Sequence, residues 1–148
     1  MGLFLLGCTS IPITDTSNPA PLADPVAKDT PLDEAYWKLV ELYGAPLVPM
    51  AGSSEVHIIF HGADKSVTGS GSCNRFSGNY ELFTDCTGTW LNILQLGATR
   101  MACPDMNTEM FFFQALGETK TFDTGPDTMM LMNGSGEVIA RFEAVWLQ

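Results

Sequence analysis

Only one stretch of this chain repeats its apolar residues at helical spacing. Everything else apolar comes in short runs cut by turn residues, and that contrast limits the fold more than any single motif does. The helical stretch is 104–116: Pro104 suits a first turn, Asp105 suits the positive end of the helix dipole, and Met106, Met110, Phe113 and Leu116 (or Phe112) mark a buried face, with Gly117 as the stop. The short runs are 35–42, 55–60, 65–71, 79–83, 89–96, 119–123, 128–132 and 137–145. They are rich in β-branched and aromatic residues or alternate in polarity, and Gly, Pro, Asn and Asp separate them; Asn133-Gly134-Ser135-Gly136 is a hairpin signal. In the first run Trp37 and Leu39 are expected on one face and Val40 and Leu42 on the other. In the last run Val138, Ala140 and Phe142 oppose Ile139, Arg141 and Glu143. The expected fold is α+β: a curved, partly barrel-like antiparallel sheet of about six to eight strands with one main helix.

Length and charge narrow the function classes. A chain of 148 residues with 45% hydrophobic content is one domain's worth and fills a core. Seven Lys and Arg against 17 Asp and Glu leave a net charge of -10. Nucleic-acid binding requires clustered cations, so no nucleic-acid partner is expected, and anionic head groups would repel the chain. No run approaches about 18 apolar residues, so no transmembrane helix is expected. There is no GxSxG elbow, HExxH or phosphate loop. His57 and His61, four apart on a strand, stand about 13 Å from one another, too far to share an ion. Eight methionines raise the thought of Cu(I), but core filling is the commoner use of methionine. The expectation is no enzyme, no metal and no cofactor.

A membrane partner enters at the N-terminus. Leu5-Leu6-Gly7-Cys8 resembles a bacterial lipobox, in which the cysteine is lipidated after cleavage before it. The apolar run before it is shorter than the usual core of about 7–15 residues and no Lys or Arg precedes it, so residues 1–8 read as a truncated lipoprotein signal. Residues 9–31 carry Pro12, Pro19, Pro21, Pro25 and Pro31 among small polar residues and read as a disordered tether. The domain follows at 32–148. Thr9, not Asp, follows Cys8, so the expected location is the outer membrane of a bacterial envelope, facing the periplasm.

Two motifs carry a family resemblance. The first is Gly71-Ser72-Cys73-Asn74-Arg75-Phe76-Ser77-Gly78-x-Tyr80; the second is Thr99-Arg100-Met101-Ala102-Cys103-Pro104, with Glu109 beyond it. With Trp37-x-Leu39 ahead of them and Gly136-x-Val138-x-Ala140-Arg141-Phe142-Glu143 behind, the chain resembles the META/HslJ domain family from Trp37 to Val145. The resemblance implies a small α+β domain on a curved antiparallel sheet, often in envelope lipoproteins. Some members are tied to the heat-shock response or to novobiocin resistance, and a related domain occurs in a parasite virulence protein. It brings no catalytic residues. Ser72 departs from the family, where Gly usually stands directly before Cys, and Cys86 belongs to none of its motifs.

In an oxidising envelope compartment Cys73 and Cys103 are most simply a disulfide. A reduced buried pair, a metal site, or pairing of either with Cys86 stay open, and Cys86 itself reads as exposed between turn residues. The Cys73-Asn74-Arg75-Phe76 stretch then reads as a disulfide-pinned corner: Asn74 caps a turn, Phe76 and Tyr80 feed the core, and Arg75 pairs with Asp105 or Glu109. A ligand role for Asn74 and Arg75 is the alternative. Arg100, near the helix start, either receives an anion or pairs with surface carboxylates. The expected function is a non-enzymatic, lipid-anchored envelope monomer with a stress-protective or binding role toward an unknown envelope protein or small molecule. The alternatives are an assembly or ligand-binding module, or an enzyme using Arg75, Arg100 or a histidine.

Overall fold

The computed structural model describes residues 29–146. Residues 1–28, which hold Cys8 and most of the expected tether, lie outside them. Nine strands and one helix follow in order: β1 Tyr36–Leu42, β2 Ala45–Pro46, β3 His57–His61, β4 Ser66–Ser70, β5 Arg75–Asp85, β6 Gly88–Ala98, α1 Met106–Glu118, β7 Thr121–Thr124, β8 Thr128–Met132 and β9 Val138–Val145. The strands form one antiparallel sheet in the order β2-β1-β3-β4-β5-β6-β7-β8-β9, and β9 returns to pair with β1. The sheet therefore closes in a ring. It is an α+β fold as the pattern of short runs predicts, with one strand more than expected because the two-residue β2 folds back on the end of β1.

The ring is filled from inside. Trp37, Ile58, Gly69 and Phe76 are successive register partners on β1, β3, β4 and β5, and they face inward. Gly69 is required there: a Cβ on it would stand 2.1 Å from the His57 carbonyl oxygen and 2.7 Å from the Phe76 ring. Helix α1 adds Phe112, Ala115 and Leu116 to the same core. Phe112 links the walls, with ring centroids 5.8 Å from Phe76 and 6.3 Å from Phe142. The indole N–H of buried Trp37 donates to the Leu32 carbonyl at 2.9 Å, so the largest core side chain keeps its polar atom satisfied.

Three expectations about faces need correction, and each has a local cause. Leu39 pairs with Phe142 and Glu41 with Arg141, so Val40 is an extra residue that returns Leu42 to the buried face beside Leu39. Likewise Leu131 pairs with Ala140 and Met132 with Val138, and the bulge at Ile139 turns that side chain inward. In α1 the buried residues are Glu109, Phe112, Ala115 and Leu116, whereas Met106 and Met110 are exposed. The helix is rotated away from its most apolar stripe to bury a carboxylate. It also runs through Gly117 and ends at Thr119, whose hydroxyl donates to the Ala115 carbonyl. The domain begins before Leu32: Thr30 is buried, its amide donates to the Gly125 carbonyl at 2.9 Å, and its hydroxyl donates to the Pro126 carbonyl.

Candidate functional site

The Cys73–Cys103 disulfide, with Cα atoms 5.5 Å apart, ties the corner before β5 to the loop before α1. Neither cysteine is therefore available to Cys86, which is exposed in the turn between β5 and β6. Next to the disulfide lies the reason α1 buries an acid. The Glu109 carboxylate accepts the backbone N–H of Cys73 at 3.0 Å, the backbone N–H of Asn74 at 2.6 Å and the Asn74 side-chain N–H at 2.6 Å. Three donors compensate a buried carboxylate. Asn74 then spends its remaining capacity on the other loop: its oxygen accepts from Thr99 Oγ1 and the Met101 N–H, and its amide also donates to the Met101 carbonyl. A Cβ at Gly71 would come within 2.9 Å of Glu109 Cγ and Phe113 Cζ, so any larger residue there requires those side chains to shift. Ser72 takes φ of 94°, a conformation natural to glycine, and its hydroxyl donates to the Asp105 carbonyl at 3.0 Å.

Arg75 does not pair with Asp105 or Glu109. The partner of Glu109 is Asn74, one residue earlier, because Arg75 begins β5 with its side chain on the outer face. The register shows what that face presents. Lys38, His57, Ser70 and Arg75 are successive partners across β1, β3, β4 and β5, one step outward from the Trp37 row. Directly opposed residues share a face, so this row is polar and cationic where its neighbour is core. It borders a cleft of about 470 Å³, lined by Tyr36, Ser54, His57, Ser70, Arg75 and Thr99 among others.

The cleft has a rigid side and an unpaired side. Tyr36 stacks on His57 with centroids 4.4 Å apart and donates its hydroxyl to Glu55 Oε1 at 2.9 Å. Lys38 Nζ lies 2.9 Å from Glu55 Oε2 and holds that carboxyl below its usual range, helped by the Tyr36 hydroxyl and opposed by partial burial. Burial, with the same carboxylate, pushes the Tyr36 phenol up. Opposite them, Arg75 forms no ion pair among the described residues, and neither does Arg100, which sits between the two lining residues Thr99 and Met101. Of the other described cations, Lys38 and Arg141 pair with carboxylates, Lys65 lies over the Tyr80 ring at 5.4 Å, and Lys120 forms no ion pair among the described residues. His61 stands 3.9 Å from Glu34 on a different part of the ring, so the two histidines are not brought together. Among the described residues no cluster of His, Cys, Asp and Glu has metal-binding spacing.

Sequence reasoning found Cys73, Cys103, Asn74, Arg75, Phe76 and Arg100. Phe76 is core, with its ring 5.4 Å from Phe113. It missed Tyr36, Ser54 and Glu55, and weighed His57 only as a metal ligand or an enzyme's histidine, because their contribution here depends on register across strands and no local motif announces it.

Comparison with known proteins agrees with this architecture. Among curated proteins none matches the chain. An NMR structure of a protein from Burkholderia xenovorans is 23% identical, covering 94% of this chain and 99% of its own, with a TM-score of 0.60. A crystal structure of a DUF4847-family protein from Bacteroides vulgatus is 16% identical over 79% of this chain and 96% of its own, with a TM-score of 0.55. These likenesses establish the fold alone. The META domain model matches residues 30–146, starting at the same Thr30 that the structure ties into the domain, and the chain belongs to the META domain family.

Proposed function

We propose that this protein is a non-enzymatic, lipid-anchored bacterial envelope protein that protects its host by binding a small anion in the cleft beside Arg75. The observation that carries the reading is charge placement. In a chain of net charge -10, Arg75 lines this cleft without a carboxylate partner among the described residues. An unpaired guanidinium among fixed hydroxyl and imidazole groups suits a carboxylate or phosphate. The corner itself is structural, since Asn74 and Glu109 direct their hydrogen bonds at one another and at the backbone, which leaves Arg75 as the binding group. The anchor rests on the Leu5–Cys8 motif, and the stress-protective role rests on the family resemblance.

Two measurements test it. Titration of the folded domain with acetate and with inorganic phosphate, followed by amide NMR, is expected to shift Ser54, Arg75 and Thr99 signals in the native protein and not in Arg75→Gln. Unshifted signals in the native protein overturn the anion site. Intact mass of natively expressed protein is expected to show a lipidated chain starting at Cys8; an unmodified chain overturns the anchor.

An assembly module is the second reading. Tyr43 and Phe111 are exposed, with centroids 6.5 Å apart, beside a shallow hollow of about 440 Å³ floored by Leu42 and Ala45. It predicts concentration-dependent sedimentation that Phe111→Ser abolishes.

A further inference from the structure

The polar cleft does not end at Glu55. Ser54 and Glu55 also wall a second cavity of about 300 Å³ on the β1 side, whose other lining is chiefly Leu39, Val40, Leu47, Val48, Pro49 and Val56. The two compartments thus share a wall. One offers Arg75, Thr99, Ser70 and His57; the other offers a run of aliphatic side chains, with Lys38, Ser53 and Asp105 also on its lining. The segment after β2 covers the apolar one. Leu47 is pinned by its N–H to the Val40 carbonyl at 2.8 Å, and Ser54 by its N–H to the Ser72 carbonyl at 2.7 Å, so the wall is fixed at both ends. Val48 is 80% exposed at this cavity, an aliphatic side chain that the domain's own packing leaves bare.

Glu55 stands between the compartments, and its charge would ordinarily repel an anion. Both of its oxygens are engaged, one by Lys38 and the other by the Tyr36 hydroxyl. The positive charge left over in the polar compartment is that of Arg75. Volumes of this order are those of small-molecule sites, which are mostly apolar with a few convergent polar groups.

Building on the anion site proposed above, we infer that the ligand is a small amphiphile, with one anionic head that meets Arg75 and one slim apolar tail that lies past Ser54 and Glu55 against Leu47 and Val48. A ligand of this shape uses both compartments at once. A short anion fills only the first, and a neutral alkyl compound only the second.

The test compares three soluble probes on the folded domain: acetate, octanoate below its micelle concentration, and 1-octanol. Amide NMR titrations give the affinities. Octanoate is expected to bind at least tenfold more tightly than either other probe and to shift Leu47 and Val48 signals along with Arg75. Val48→Asp, at an exposed position that does not threaten folding, is expected to remove the octanoate advantage and leave acetate binding unchanged; Leu47→Ala is expected to weaken octanoate alone. Arg75→Gln is expected to weaken both anions. If acetate and octanoate bind the native protein equally, the anion site stands and the amphiphile inference falls. If octanol binds as well as octanoate and Arg75→Gln changes nothing, the head group has no role and the inference also falls. If no anion binds the native protein, the anion site itself is wrong, and this inference goes with it.

Discussion

Glu109 holds the corner and the helix in one arrangement, because one carboxylate accepts from three donors that belong to two consecutive residues. Removing it leaves the amides of Cys73 and Asn74 buried without acceptors. Glu109→Ala is therefore expected to destabilise the domain by about 3 kcal/mol or more, lowering the melting temperature by about 10 °C, as read by thermal denaturation. Arg75→Gln should leave the melting temperature nearly unchanged, since Arg75 has no carboxylate partner among the described residues. Glu55 makes a pH-dependent contribution. Its folded value is depressed, chiefly by Lys38, so its stabilisation is present above the ordinary value of 4.5 and is lost as pH falls through the lower folded value. Melting temperatures measured from about pH 6 down to about pH 3 should fall less steeply in Glu55→Gln than in the native protein.

At the scale of elements, the Cys73–Cys103 bond and the Glu109 clamp act on the same two segments. The bond closes a loop spanning 30 residues. Its loss is expected to cost about 3–4 kcal/mol in the chain-entropy account. The paired Cys73→Ser, Cys103→Ser variant should still fold, because the clamp continues to join corner to helix; a native-like near-ultraviolet spectrum at reduced melting temperature is the expected result. The sequence made these elements legible to different degrees. Strand positions were readable because turn residues punctuate them, and the helix because Pro104 and the apolar spacing mark it. Helix orientation was not readable: a rule that buries the most apolar stripe puts Met106 and Met110 inside, whereas the energetic requirement of the Cys73 and Asn74 amides places Glu109 there. Faces beyond Val40 and before Ala140 were missed for a related reason. A bulge shifts the two-residue period by one, and no residue at Val40 or Ile139 advertises it.

For the whole molecule, the successive pairing of β1, β3, β4, β5 and β6 places the outer row of Lys38, His57, Ser70 and Arg75 beside Thr99–Met101, the loop that follows β6. The candidate site exists only at that level. Arg75 and Arg100 could be singled out from the sequence as cations near motifs, yet the groups opposite them come from β1 and from the segment before β3. The ring is also uneven. β5 and β6 pair along most of their length, while β6 meets β7 through the single register pair Trp90 and Thr121, with the Leu91 N–H donating to the Lys120 carbonyl. Amide exchange should be fastest, within the sheet, on the strand ends flanking that junction.

The disulfide has one further consequence. Because Cys73 and Cys103 meet at the neck of β5 and β6, the two long strands between them form a sealed cassette. Phe83 and Trp90 stack on one another there, 6.0 Å apart, and Asp85 caps its own turn through the Thr87 amide. A backbone cut between Thr87 and Gly88 should therefore leave the two halves covalently joined across the base of the cassette, running as one species without reductant and as two with it.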